Sequence, residues 1–143
     1  MDVIIRKAQV HDIPEIMKMN DILNEVGSII ESMKNSLKNN QNEIVLVAIL
    51  NDIAVGFICG QLYPSICYAS GLQCEVTELF VYEDYRNQGI ATKLIAHLER
   101  EFEKNNVQEI LLQTGKKNTI AQSFYEKNGY VDAERVVYRK KYW

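Results

Sequence analysis

The sequence has few of the residues that mark the easily recognised protein classes. It holds 3 cysteines and 2 prolines in 143 residues, and no apolar run approaches the ~20 residues that a membrane-spanning helix needs. Cys59, Cys67 and Cys74 form no Cys-x-x-Cys pair, and neither His11 nor His97 completes a ligand spacing. These absences argue against a disulfide framework, a zinc site and a transmembrane segment, so we expect no metal and no membrane partner.

An excess of positive charge is also missing. The 16 Lys and Arg and the 19 Asp and Glu give a formal net charge of −3. A general nucleic-acid binder needs a basic surface to neutralise phosphates, so we expect no nucleic-acid partner. The first residues carry no signal-peptide pattern, which makes the cytoplasm the default location. The composition, 47% hydrophobic and 24% charged, is typical of a globular protein, and the length predicts a single domain over residues 1–143.

Hydrophobic periodicity predicts strands and helices in a mixed order. The predicted strands are residues 3–8, 43–50, 53–60, 75–82 and 109–113, with one or two more within 130–142. The predicted helices are one that follows an N-cap at Asp12, then residues 28–37, 90–102 and 119–127, with 35–42 as a polar loop. This order predicts an α/β fold of the mixed α+β kind, in which a single mixed central β-sheet is flanked by helices on both faces.

The segment between the strand 75–82 and the helix 90–102 is the first one with clear chemistry. It reads Arg86-Asn87-Gln88-Gly89-Ile90-Ala91-Thr92. A helix N-terminus presents unpaired N–H groups and a partial positive charge, which suit a pyrophosphate. Gly89 permits a positive φ, Ala91 keeps the first turn small, and Arg86 offers a charged fork to phosphate oxygens. The Gly-x-x-x-x-Gly-Lys-Ser/Thr and Gly-x-Gly-x-x-Gly patterns of nucleotide-binding folds are missing here.

Two motifs resemble those of the GNAT N-acetyltransferase family. Arg86-x-x-Gly89-x-Ala91 is similar to its Arg/Gln-x-x-Gly-x-Gly/Ala motif, although Ala91 and Asn87 stand where glycine is common. Downstream, Asn118-x-x-Ala121-x-x-x-Tyr125-x-x-x-Gly129-Tyr130 resembles the family's Asn-x-x-Ala-x-x-x-Tyr-x-x-x-Gly-Phe/Tyr box. The resemblance implies the GNAT acyl-CoA N-acyltransferase fold, and it implies acetyl-CoA as the co-substrate.

The resemblance also implies roles for individual residues. Tyr125 becomes the general acid that gives a proton to the departing CoA thiolate. Asn118 contacts the pantetheine arm, caps the helix that begins after it, or does both. The implied main-chain contacts to pantetheine and the acyl oxygen fall on Leu79, Phe80 and Val81. The implied contacts to the pyrophosphate fall on Arg86, Asn87, Gln88, Gly89, Ile90, Ala91 and Thr92.

Glu75 and Glu78 are the candidates for a base or for an anchor of a cationic amine. Carboxylates are unusual in an otherwise apolar strand, and an alkylamine of pKa ~10.4 must lose a proton before it can attack. Their spacing places them on opposite faces of a regular strand unless a bulge intervenes. For Tyr63, Tyr68 and Tyr82 two interpretations stay open, since they can line an acceptor pocket or pack in the core.

These features together predict direct acetyl transfer from acetyl-CoA to a primary amine. The acidic chain favours a small cationic acceptor, while a protein N-terminal or lysine acetyltransferase and a non-catalytic CoA-binding regulatory module are the alternatives. No Cys–His pairing supports covalent catalysis, and we expect the cysteines to be small buried residues. Tyr142 and Trp143 are candidates for contacts in a homodimer.

Overall fold

The computed structural model describes residues 2–67 and 70–143, in two compact units that meet between Gln113 and Thr114 in the chain. The strands described in the first unit are β1 (Ile4–Lys7), β2 (Glu43–Leu50), β3 (Ile53–Tyr63), β4 (Leu72–Val81) and β5 (Val107–Leu112). They form one sheet in the order β1-β2-β3-β4-β5. All neighbours are antiparallel except the parallel pair β4 and β5, which confirms the predicted mixed sheet.

Helices cover both faces of this sheet, as predicted. On one face, α1 (Ile13–Asn24) and α2 (Ile30–Asn39) pack around Phe57 of β3. The α3 helix (Ile90–Lys104) lies on the other face. It packs so closely against β3 that a Cβ added to Gly60 would stand 2.5 Å from Cζ of Phe102. The residues that α3 buries are at helical spacing: Ile90, Leu94, Ile95, Leu98 and Phe102. No helix within the described residues is long and apolar enough to span a membrane.

The second unit contains α4 (Thr119–Lys127). Gly129 follows it with φ 92°, the left-handed conformation that the sequence predicts for a helix terminator. The prediction of one or two strands within residues 130–142 is wrong, because the structure has no strand in residues 130–143. The β-branched pair Val136 and Val137 favours extended backbone, but a strand also needs a neighbouring strand to complete its ladder of hydrogen bonds.

The α2 helix extends further than predicted. It ends at Asn39, so the predicted loop over residues 35–42 is wrong in its first part. Ile30, Met33 and Leu37 lie at helical spacing and pack against the core of the α1 face. This burial outweighs the low helix propensity of Asn35 and Asn39, since most helical stability in proteins comes from packing of the apolar face.

Asp12 precedes α1 as predicted, but its side chain does not cap that helix. Its buried carboxylate accepts hydrogen bonds from the Arg6 guanidinium at 2.7 and 3.0 Å, and from the Gln9 N–H at 2.8 Å. Burial alone raises the pKa of Asp12, but the hydrogen bonds from Arg6 and Gln9 outweigh it, so the pKa lies below its ordinary value. Asp12 therefore ties β1 to the start of α1 as an ionised group.

We expect Asp12→Asn to lower the free energy of unfolding by about 2 kcal/mol at neutral pH, since it leaves Arg6 without its anion. Because the folded pKa is depressed, the carboxylate stabilises the fold above its unfolded pKa of ~3.9, and this contribution is lost as pH falls through the folded value. Urea unfolding measured at several pH values checks both the loss of stability in the variant and its dependence on pH. The exposed Asp52 provides the control: Asp52→Asn should change stability by less than about 0.5 kcal/mol, and an equal loss would contradict the assignment.

Candidate active site

A β-bulge in β4 sets the positions of the two candidate carboxylates. The register pairs Cys59 with Glu78, Gly60 with Val76 and Gln61 with Glu75, which leaves Thr77 as the extra residue. Side chains two residues apart on a regular strand lie on the same face of the sheet, so Cys59 and Gln61 of β3 share a face. Their partners in β4 lie on that same face, because residues paired across two strands point to the same side. Glu75 and Glu78 therefore lie on the same face of the sheet. It is the α1 face, since Cys59 belongs to the core cluster packed against α1.

Beyond the bulge, one edge of β4 is open. Strand β5 pairs with β4 as far as Val76 and, within the described residues, no further. Residues 79–81 keep their pairing with β3 on the other side. The main-chain groups of residues 77–81 that face away from β3 are therefore free of the β5 ladder, which is the arrangement that a strand needs to hydrogen-bond a ligand along its edge.

The loop after β4 leads into an uncapped helix N-terminus. Asn87 and Gly89 adopt φ of 63° and 82°, and Gly89 is the N-cap of α3. No side chain hydrogen-bonds to this first turn. The N–H groups of residues 90–92 thus lack intrahelical partners and lie at the positive end of a 15-residue helix. This is the geometry that binds phosphate groups in proteins.

The side chain of Arg86 is held against β4. Its Nε donates to the main-chain oxygen of Val81 at 2.8 Å, and its guanidinium carbon lies 5.7 Å from the centre of the Phe80 ring. The cation–π contact and the hydrogen bond fix the direction of the guanidinium. Its two terminal amino groups make no other contact within the described residues, so they can reach phosphate oxygens.

The second unit holds the other candidate residues. Tyr125 on α4 lies edge-on to Phe124 and Tyr130, with ring centres 5.2 and 5.8 Å apart. Burial raises the pKa of Tyr125 above its ordinary value, so its hydroxyl keeps its proton at neutral pH and can donate it. Oδ1 of Asn118 accepts a hydrogen bond from the Ala121 N–H at 3.1 Å. Asn118 is thus a helix cap, and its side-chain NH2 has no partner within the described residues.

A cavity of about 200 Å³ lies between α1, α2 and strands β2 to β4 in the first unit. Its walls include the apolar side chains of Ile16, Met33 and Phe57. Its polar lining includes Glu78, whose Oε2 accepts a hydrogen bond from Nδ2 of Asn24 at 3.1 Å. Glu78 therefore lies at the wall of a partly open cavity, on the strand whose edge is open.

Glu75 is engaged elsewhere, although it shares the face of Glu78. Its Oε1 accepts a hydrogen bond from the Tyr63 hydroxyl at 2.6 Å. This bond, with burial, raises the pKa of Tyr63 to about 12. Tyr82 lies edge-on to Phe80, with ring centres 5.4 Å apart, and so packs with the core cluster of the α1 face. Tyr68 lies outside the described residues.

Glu43 is a pocket residue that sequence reasoning missed. It lines the cavity, and its Oε2 accepts a hydrogen bond from Nε2 of Gln61 at 3.0 Å. Burial raises the pKa of Glu43, and the charge of Glu78 raises it further, against the lowering effect of hydrogen bonds from Gln61 and Ser36. The signal that could have found it is the one used for Glu78, a carboxylate in a strand that is otherwise apolar.

The cysteines are not arranged for chemistry. Cys59 and Cys74 are buried as expected, while Cys67 is exposed, so the expectation of burial is wrong there. Cys67 follows Pro64 in the connection after β3, and main chain that leaves a sheet runs over the surface. Burial, with the charges of Glu43 and Glu78, raises the pKa of the Cys59 thiol well above its ordinary value, which makes it a poor nucleophile.

Comparisons with known proteins point to the same family as the two sequence motifs. A family model described as the acetyltransferase (GNAT) family matches residues 14–130. The chain is 35% identical over 95 residues to N-alpha-acetyltransferase 30 of Schizosaccharomyces pombe, covering 66% of this chain and 61% of that protein. It is 28% identical over 98 residues to aminoglycoside N(6')-acetyltransferase type 1 of Salmonella typhimurium, covering 66% and 67%. AAC(6')-Iy, solved in complex with the bisubstrate analog CoA-S-monomethyl-acetylneamine, shares the fold with a TM-score of 0.87, at 19% identity over 99% of both chains.

Proposed function

Since the chain belongs to the GNAT acetyltransferase family, we propose that it transfers the acetyl group of acetyl-CoA directly to the primary amine of a small cationic acceptor. Acetyl-CoA supplies the acyl group as an activated thioester. The observation that carries the proposal is the uncapped N-terminus of α3, joined by a short loop to the open edge of β4. We further propose that residues 1–143 act as one acetyltransferase domain. The homodimer and the cytoplasmic location stay predictions from the sequence.

The residues present fit CoA at two places. The pyrophosphate suits the N–H groups of residues 90–92, the left-handed Gly89 and the free amino groups of Arg86. The same loop and first helical turn also contain Asn87, Gln88 and Thr92, so we include these residues in the proposed pyrophosphate site. The pantetheine arm suits the main-chain groups of residues 79–81 that face away from β3. The family motif that Asn118 matches makes its side-chain NH2 a proposed further donor to that arm.

We assign the proton transfers to Glu78 and Tyr125. Glu78 anchors the acceptor ammonium and takes its proton, directly or through a water molecule, so that the nitrogen lone pair can form the new N–C bond. The main-chain N–H groups of residues 79–81 that face away from β3 stabilise the negative charge that develops on the acyl oxygen. As the C–S bond breaks, Tyr125 donates its hydroxyl proton to the sulfur. The second proton of the attacking nitrogen then passes to the Tyr125 oxygen, directly or through water, which leaves a neutral amide and restores the tyrosine. Glu75 is second to Glu78 as a base, because the Tyr63 hydroxyl occupies it.

A protein N-terminal amine is the second candidate acceptor. The 35% identity to N-alpha-acetyltransferase 30 favours it, and a lysine side chain belongs to the same class of macromolecular acceptor. Two observations favour a small amine instead: a partly open cavity beside Glu78 and the similarity to an aminoglycoside acetyltransferase. A non-catalytic CoA-binding module would need neither a partly buried, protonated Tyr125 nor a carboxylate in a cavity, and we rank it last.

Excess acetyl-CoA is expected to raise the thermal unfolding midpoint by roughly 8–11 °C. A ligand present at ~100 times its dissociation constant adds about 2.7 kcal/mol of stability, and each kcal/mol is worth about 3–4 °C for a chain of this size. Inorganic pyrophosphate at the same concentration is the control for a generic anion, and it should shift the midpoint far less. Folded protein that shows no shift with saturating acetyl-CoA would overturn the proposed function.

A further inference from the structure

We propose that the cavity between α1, α2 and strands β2 to β4 binds an alkyl diamine, with Glu78 facing the reacting amine and Glu43 holding the second, unreacting ammonium. The inference rests on the proposed function and names its acceptor class. It makes Glu43 a specificity residue rather than a catalytic one. The observations are the positions of the two carboxylates, the apolar wall between them and the lack of a protein cation for either.

The two carboxylates stand at opposite sides of the cavity floor. Glu43 belongs to β2 and Glu78 to β4, with β3 between them. Neighbouring strands lie ~4.8 Å apart, so the two backbones are separated by about 10 Å. A volume of about 200 Å³ equals the share of about seven water molecules at ~30 Å³ each. These dimensions suit a short methylene chain with an ammonium group at each end.

The surface between the carboxylates is mostly apolar, although the polar side chains of Asn20 and Ser36 also line the cavity. Ile16 of α1, Met33 of α2 and Phe57 of β3 line the cavity together with the two glutamates. Methylene groups gain free energy on such a surface because they leave water. An acceptor with hydroxyl groups along its length would lose hydrogen bonds to water there without replacing them. The lining therefore favours an unsubstituted alkyl chain over a sugar ring.

Neither carboxylate has a cation within the described residues. Glu43 accepts from the neutral amide of Gln61, and Glu78 accepts from the neutral amide of Asn24. No Lys or Arg of the described chain forms an ion pair with either one. Partly buried carboxylates without a counter-charge are costly, and an ammonium group supplies that charge together with three hydrogen-bond donors.

Cys59 lies in β3, between the strands of the two carboxylates, and it also lines the cavity. Its side chain belongs to the buried hydrophobic core cluster, with 8% relative exposure. Because a free cysteine behaves as a small apolar residue, Cys59 adds to the apolar surface between the two glutamates.

The test compares matched diamines and monoamines as acceptors. Wild-type protein should acetylate diaminobutane or diaminohexane with a kcat/KM about 10- to 100-fold above that of butylamine or hexylamine, the factor expected for one charged hydrogen bond. Glu43→Gln keeps an acceptor for Gln61, and it should remove this preference through the KM of the diamine, with less than about twofold change for the monoamine. Glu103→Gln removes the same charge from an exposed position on α3 and should keep the preference.

The outcomes separate this inference from the function on which it rests. Equal kcat/KM for diamine and monoamine in the wild-type protein would overturn the diamine assignment whether or not the Glu43 variant folds. Acetyl-CoA binding without turnover of any of the four amines would overturn it as well, while leaving a different acceptor for the proposed activity. Failure to bind acetyl-CoA would instead overturn the proposed function. A diamine preference that survives Glu43→Gln would overturn the role of Glu43.

Discussion

Tyr125→Phe is expected to lower kcat by about 10²- to 10³-fold, because it removes the proton donor for the departing thiolate while leaving the binding surface in place. The phenyl ring keeps the edge-on contacts with Phe124 and Tyr130, so the KM for acetyl-CoA and the unfolding midpoint should change little. Burial raises the pKa of Tyr125. The wild-type rate should therefore fall only above pH ~10, where the hydroxyl loses its proton, and the variant should lack that limb.

The exposed Tyr138 of the same unit offers a matched control for this change. Its side chain is 91% exposed, so Tyr138→Phe removes one hydroxyl without touching a buried ring. Steady-state release of CoA thiol measures both variants against wild type. If kcat of the Tyr125 variant stays within about threefold of wild type, the proton comes from another group and the assignment of the acid is wrong.

Gly89→Val is expected to weaken acetyl-CoA binding by about 10- to 100-fold. Gly89 has φ 82°, a conformation that costs a residue with a side chain about 1–2 kcal/mol and is least accessible to a β-branched one. The loop must then leave this conformation, and the N–H groups of residues 90–92 lose their alignment toward the pyrophosphate. Isothermal titration of acetyl-CoA measures the change directly.

Gly129 provides the control for backbone strain. It also has a left-handed φ, 92°, and a Cβ added at either glycine meets no atom within 4 Å. Gly129→Val should therefore lower the unfolding midpoint about as much as Gly89→Val does. The two variants should differ in acetyl-CoA affinity, which only the Gly89 change lowers strongly. An equal loss of affinity in both would mean that general destabilisation, rather than the loop before α3, explains the effect.

Local pattern was enough to predict most of the fold. The apolar spacing of Leu94, Leu98 and Phe102 predicts one buried helix face, and these side chains are fully buried in α3. Gly89 and Gly129 were each predicted to need left-handed backbone, and both have it. Such features depend on a few neighbouring residues, so they are visible in a single sequence. Whether residues 130–142 form strands was not predictable in this way, because a strand depends on a partner that is distant in the chain.

The cavity beside Glu78 was the part that sequence reasoning missed most. Glu43 and Glu78 are far apart in the chain, and only the pairing of β2, β3 and β4 brings them to one cavity. Glu75 and Glu78 were expected on opposite faces of a regular strand, and the extra residue Thr77 puts both on the α1 face. A bulge has no strong local sequence signal, because it is decided by how two strands align over their whole length.

The sequence by itself determined the family, the order of strands and helices as far as α4, and the loop that ends in an uncapped helix. Each of these follows from contiguous residues whose conformational preferences and motif spacing are local. Tertiary structure alone decided which carboxylates share a cavity, that Glu75 is tied to Tyr63, and that Arg86 is held on Phe80. These contacts join residues on different elements. They depend on strand register and packing, which only the assembled sheet and its covering helices define.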